Sequence, residues 1–211
     1  MKLTKYTHAC FVLEKEGATL VVDPGKWSSD FIIPSTVAAV VITHEHPDHF
    51  DIDKLRRVIA ENPNALVVAH PSITAQVADL PTRGVDVGES ISVGPFTLKF
   101  FGGQHAVIHP SFPRVANLGV MVDERLYYPG DSFVLPDMPV DTLLLPISAP
   151  WLKVSEVLDF VAQVKSRQYI PTHDAILSDT GKALLDRIVS GGAEATGSTY
   201  QRLDGQSIVL E

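Results

Sequence analysis

Ala38-Ala39-Val40-Val41-Ile42-Thr43-His44-Glu45-His46-Pro47-Asp48-His49 is the most informative stretch of this 211-residue chain. Its first half is an unbroken apolar run, the pattern of a strand buried on both faces. Its second half places three imidazoles and a carboxylate within six residues. A buried strand ending in such a cluster delivers nitrogen and oxygen ligands to one place, which suits a borderline-soft divalent metal. Glu45 lies between two of these histidines. On an extended backbone it points the opposite way, so it has no catalytic role. The competing reading is a polar loop with a few surface histidines, and the density of ligands after a buried strand argues against it.

Outward from this stretch, β texture and helix texture alternate. Phe11–Leu13 and Thr19–Val22 read as strands around Glu14-Lys15-Glu16-Gly17, and Asp23-Pro24-Gly25 stops the second. Asp51 suits the N-cap of a helix carrying Ile52, Leu55, Val58 and Ile59, which Asn62-Pro63 ends. Ala65–Ala69 is a short strand, and His70-Pro71-Ser72 opens a small helix to Ala78. Val85–Val87, Ile91–Val93, Phe96–Phe101, Leu118–Val122, Leu126–Tyr128, Leu143–Leu145 and Tyr169-Ile170 read as strands. Val154–Val164 has helical spacing. Asp179 caps a last helix that Gly191-Gly192 terminates. Ser198–Leu203 and Gln206–Leu210 flank Asp204-Gly205, a hairpin signal. The expectation is one α/β domain over residues 1–211, with sheets inside and helices outside.

Composition narrows the class. The hydrophobic fraction is 45%, a globular value. The formal charge of −8 argues against a broad phosphate-gripping surface, so nucleic acid is not the expected partner. The one cysteine, Cys10, sits in a strand pattern and reads as a buried hydrophobe. It can form no internal disulfide. No stretch has the length of a membrane span, and none near Met1 has the form of a signal peptide. A cytoplasmic protein acting on a small molecule is expected, with no membrane partner; self-association into a homo-oligomer stays open.

Three further polar residues stand where a strand gives way to a loop: His105, Asp131 and His173. With the first cluster they make five histidines and two aspartates, an inventory that suits two metal ions sharing a carboxylate.

These residues resemble the metallo-β-lactamase superfamily along essentially the whole chain. The leading motif His-x-His-x-Asp-His stands as His44, His46, Asp48 and His49. Asp23 in Val21-Val22-Asp23-Pro24-Gly25, then His105, Gly130-Asp131-Ser132 and His173, follow in the family's order. Thr7-His8-Ala9, Asp23-Pro24-Gly25 and Ile170-Pro171-Thr172-His173 resemble the compact branch that includes ascorbate-6-phosphate lactonase-like proteins. The resemblance implies an αββα sandwich of two mixed sheets flanked by helices. It implies a dinuclear metal-dependent hydrolase. His44, His46 and His105 would hold one ion, Asp48, His49 and His173 the other, with Asp131 between them. Asp23 would orient a ligand histidine through its ring N–H.

The ions would be zinc first, with manganese or iron as the alternatives. A metal-bridging hydroxide would attack an ester, lactone or phosphodiester bond. Asp48 and His173 are the candidate catalytic residues, Asp48 orienting the hydroxide or passing on its proton. True β-lactamases of the superfamily often carry a cysteine where Asp131 stands, so antibiotic hydrolysis is not expected. A diiron oxygen-reducing relative would carry a carboxylate at His46, which disfavours that branch.

Four residues are candidate substrate contacts: His8, His109, Arg114 and Trp151. The Ala106–Arg114 loop reads as a partial lid, with Arg114 as a cationic anchor. The rival functions are a nuclease or phosphodiesterase on nucleic acid and a metal-binding protein without turnover.

Overall fold

The computed structural model describes residues 1–210. Strands are numbered along the chain. The first sheet has seven, in the spatial order β14 (Ser207–Val209), β1 (Lys2–Lys5), β2 (Phe11–Lys15), β3 (Ala18–Val22), β4 (Val37–Ile42), β5 (Leu66–Ala69) and β6 (Thr82–Gly84). The second also has seven, ordered β13 (Thr199–Tyr200), β12 (Gln168–Thr172), β11 (Thr142–Pro146), β10 (Leu126–Tyr128), β9 (Leu118–Val122), β8 (Phe96–Gly102) and β7 (Ser90–Val93).

The two-faced burial of β4 sets the layering. Its Ala39 and Val41 join a core shared by the two sheets, with Phe11, Leu20, Phe100, Val120 and Tyr128. Its Val40 and Ile42 turn the other way, onto Leu55 and Val58 of α1 (Ile52–Glu61). On the far side, Tyr127, Leu143, Leu145 and Tyr169 pack under α3 (Val154–Val164) and α4 (Asp179–Ala195). Helix, sheet, sheet and helix therefore stack as the αββα sandwich that the resemblance implies.

Strand direction places the ligands. β1 is antiparallel to β2 and β2 to β3, while β4 runs parallel to β3, so β1, β3 and β4 point the same way. In the second sheet β8, β10 and β12 share a direction by the same reasoning. The loops after these strands carry every residue of the candidate centre. They meet at one edge of the sandwich. Backbone hydrogen bonds tie them across the sheets: Leu118 N–H donates to Thr43 O at 2.9 Å, and His173 N–H to His8 O at 3.2 Å. At the other end of β1 the termini meet, with Leu210 N–H donating to Met1 O at 2.8 Å.

Several elements differ from their expected form. β1 is a strand that the sequence pattern did not mark. The edge strand β6 spans Thr82–Gly84 instead of 85–87, because its ladder with β5 ends at Ala69. Asp51 caps α1 as expected, accepting from Asp53 N–H and Lys54 N–H. His70 caps α2 (Pro71–Thr74) by accepting from Ser72 N–H. The cap of α4 is Ser178, one residue before Asp179. Gly191-Gly192 do not end that helix. A Cβ on Gly192 would fall 2.5 Å from the Leu158 side chain, so this glycine lets α3 and α4 approach closely. The Asp204-Gly205 turn forms, with both residues at positive φ, but joins no hairpin. β13 pairs with β12 in one sheet and β14 with β1 in the other.

Candidate metal centre

Asp23 is the buried hub of the site. Its Oδ1 accepts from Thr43 N–H at 2.8 Å, and its Oδ2 from the Thr43 hydroxyl at 2.6 Å and His49 Nδ1–H at 2.7 Å. The Thr43 hydroxyl in turn accepts from His44 Nδ1–H at 3.1 Å. One carboxylate thus sets the tautomer of His49 directly and of His44 through Thr43. His105 donates Nδ1–H to Ala106 O and His173 to Ser148 O, both at 2.6 Å. With Nδ1 protonated and held in each ring, Nε2 carries the lone pair.

Those lone pairs converge. His44 Nε2, His49 Nε2, His105 Nε2, His173 Nε2 and Asp131 Oδ1 are buried, and none has a hydrogen-bond partner. An orphaned buried polar atom costs about 1–3 kcal/mol, so five facing one space call for a cation to fill it. The carboxylates of Asp48 and Asp131 face the imidazole nitrogens at 3.0–3.7 Å. Three overlapping sets bring ligand atoms within 4.8 Å of one another: His44, His46 and His105; His44, His49 and Asp131; and His8, Asp48, His49 and His173. All seven expected ligands are brought together, and Asp131 reaches His49, His105 and His173.

His8 differs from the other histidines. Its Nε2–H donates to Asp48 Oδ2 at 3.0 Å and its Nδ1 accepts from Ala175 N–H at 3.3 Å, so neither nitrogen is free. It is fully buried, and burial pushes its pKa down to about 4, with the Asp48 hydrogen bond resisting only in part. A neutral His8 therefore stands behind Asp48 and fixes the carboxylate. His8, Asp23 and His173 all have positive φ, backbone strain of a kind that gathers at working sites.

Close packing locks the loops. A Cβ on Gly25 would lie 1.9 Å from Asp48 O, so only glycine lets the loop after β3 cross the ligand loop. Asp131 N–H donates to Asn117 Oδ1 at 2.9 Å, and Trp151 Nε1–H donates to Asp131 Oδ2 at 2.8 Å. Asp174, next to His173, is paired with Arg202, whose guanidinium also grips Asp186 of α4.

The charges are poised for cations. Burial works against charge on His49 and His173, yet Asp131 outweighs it. The pKa of His49 stands well above the ordinary value, and that of His173 rises to about 9. Burial would likewise raise the carboxyls, and facing histidines hold Asp48 and Asp131 well below the usual range. Protons thus occupy the metal-free centre and must leave when a cation enters. Below about pH 9 His173 carries such a proton, so metal affinity should climb with pH from 6 to about 9. Competition with a chromophoric chelator across that range measures this. An affinity independent of pH would contradict it.

A hollow of about 270 Å³ opens over the centre, floored by His46, Asp48, His105, Asp131 and His173. Its walls are Trp27, Pro47, Ile108, Pro150, Trp151 and Ile176. Of the four expected substrate contacts, only Trp151 lines it. His8 lies beneath the floor. His109 bonds Ser111 in the exposed part of its loop. Arg114 does not line the hollow; it donates Nε–H to His105 O at 2.9 Å and so braces the ligand loop. Glu45 points away, as expected, and accepts from Gln76. A larger hollow of about 420 Å³, lined by Lys26, Glu45 and Asp51, touches no ligand. Trp27 and Ile176 were not foreseen as walls, since an isolated aromatic or aliphatic residue in a loop carries no pattern.

Fold and site together define a protein of the αββα class with a histidine- and aspartate-lined metal centre at the sheet edge. The family described as the beta-lactamase superfamily domain matches residues 2–173. The chain belongs to the metallo-β-lactamase superfamily. It is 35% identical over 214 residues to Protein Rv0786c of Mycobacterium tuberculosis, covering 99% of each. It is 28% identical to a UPF0173 metal-dependent hydrolase of Carboxydothermus hydrogenoformans, covering 86% of this chain and 90% of that one. The structure of Igni18, a metallo hydrolase of Ignicoccus hospitalis, superposes with a TM-score of 0.77 at 19% identity, covering 100% and 99%. No helix among the described residues is long and apolar enough to cross a membrane.

Proposed function

We propose that this chain is a dinuclear metal-dependent hydrolase that cleaves an ester, lactone or phosphodiester bond of a small molecule. The observation that carries the reading is the convergence of four buried imidazole nitrogens and an Asp131 oxygen, all without hydrogen-bond partners. A family relative named as a metal-dependent hydrolase supports it. His44, His46 and His105 would hold one ion; Asp48, His49 and His173 would hold the other, and Asp131 would serve both. The nitrogen and oxygen donors suit zinc first, then manganese or iron.

Bound ions would supply a water whose pKa is lowered towards ~7 and a Lewis acid for the electrophile. The chain does the rest. His8 holds Asp48 at the floor of the cavity, where it can orient the attacking water or pass on its proton. His173, on the same wall, lies 3.3 Å from Asp48 and 3.0 Å from Asp131. No serine or cysteine nucleophile is required. Cys10 is buried, and burial pushes its thiol up to about 12, so it is inert. That inert thiol also suits a cytoplasmic setting.

Purified protein should carry about two metal equivalents. It should hydrolyse members of a panel of chromogenic esters, lactones and phosphodiesters, lose that activity to a chelator and regain it with a divalent ion. Protein without metal, together with unchanged stability in His46→Ala, would sink the reading.

A further inference from the structure

Resting on that hydrolase reading, we propose that the substrate is an uncharged ester or lactone with an apolar, aromatic flank seated between Trp27 and Trp151. An anionic or phosphorylated compound does not fit. The hollow over the centre has six apolar lining residues and no lysine or arginine. Lys26, the cation nearest in sequence to Trp27, borders different hollows, and Arg114, whose Nε–H goes to His105 O, does not line this one. A carboxylate or phosphate placed away from the reacting bond would lose hydration here with no counter-charge to replace it. The sugar phosphate suggested by the lactonase-like branch would meet that difficulty.

The two tryptophans are braced. Trp27 packs edge-on to the ring of His8 at 4.7 Å. Trp151 packs on Phe133 at 5.0 Å, and its indole N–H is taken by Asp131. Trp151 therefore shows the cavity an aromatic surface whose polar handle is already satisfied. Trp27 is 43% exposed and Ile176 is 52% exposed, leaving apolar area that a flat ligand would cover. The volume of about 270 Å³ lies just below the ~300–1,000 Å³ of sites for drug-sized ligands, so the ligand is small. In the reaction, the water oxygen bonds to the carbonyl carbon and the bond from carbon to the leaving oxygen breaks. Asp48 takes the water's proton, which passes to the leaving alkoxide. The products are an acid and an alcohol.

Trp27 and Trp151 are the chain's two tryptophans, so its indole fluorescence reports on this cavity. Metal-loaded full-length protein is titrated with acetanilide, an unreactive mimic of phenyl acetate, and with 4-acetamidobenzoate, which adds a distal carboxylate. Acetanilide should give a saturable change and bind at least about tenfold more tightly than the carboxylate analogue. Trp27→Ala should weaken acetanilide by about tenfold with metal content unchanged. In turnover, phenyl acetate should exceed 4-carboxyphenyl acetate in kcat/KM by a similar factor. Equal or tighter binding of the carboxylate analogue, or no saturable response to acetanilide, overturns the proposal. Selective acetanilide binding with no ester hydrolysed would sink the hydrolase reading and support the cavity's preference for neutral aromatics.

Discussion

Asp131→Ala is expected to lower hydrolysis by about 10³-fold or more and to reduce bound metal from about two equivalents to one or none. Asp131 is the carboxylate that reaches the histidines of both halves of the centre. It faces His105 at 3.3 Å, His173 at 3.0 Å and His49 at 3.2 Å. Without it the proposed pair of sites would lose the oxygen ligand they share, and bound cations would lose a neutralising carboxylate. The variant should still fold. The backbone of this loop is held independently, by Asn117 accepting from Asp131 N–H, and Gly130 at φ +60 takes a conformation that no side chain at Asp131 dictates. Metal analysis and kcat/KM on the same preparation test this. Two equivalents with near-normal turnover would remove Asp131 from the centre.

Asp23→Ala should act on stability as well as on metal. Three buried donors lose their acceptor together: Thr43 N–H, the Thr43 hydroxyl and His49 Nδ1–H. The expected loss is about 3–5 kcal/mol in urea unfolding of chelator-treated protein, and about 10–100-fold in metal affinity, since the tautomers of His44 and His49 are no longer set. Asp23→Asn is the informative companion. Asp23 sits at φ +46, which asparagine tolerates, so this variant keeps the backbone and one acceptor oxygen while removing the charge and replacing the other oxygen by an NH2 donor. It should fall between the wild type and alanine in both measurements. A loss under about 1 kcal/mol for Asp23→Ala would mean that the hub is not structural.

Most of the centre was legible because its signals are local. The apolar run of β4 and the histidines after it are contiguous, so strand, burial and ligands read together. His105, Asp131 and His173 were legible as residues at strand ends, and strand direction brought those ends together. Features that depend on distant partners were not legible. β1 has one fully buried apolar side chain, Leu3, and owes its place to β2 and to β14 from the far end of the chain. The Asp204-Gly205 turn obeyed its local chemistry, yet its flanking strands joined different sheets, a choice made by tertiary packing. Gly192 read as a helix stop, but its lack of a side chain serves contact with Leu158. Arg114 read as an anchor because type and position suggested one, and nothing in the sequence revealed its bond to His105 O.

The pairing of the first strand with the last gives biosynthesis a direction. β1 is made well before β14, so although β2 can pair with it early, its ladder with β14 forms only after the residues between them have been synthesised. By then every candidate ligand, from His44 to His173, has been made. Yet β1 leads to His8, and His8 both fixes Asp48 and accepts from His173 N–H. A nascent chain therefore owns the donors before it owns their geometry. Closing so long a loop costs only slightly more entropy than closing a shorter one, so the delay lies in synthesis, not in the closure itself.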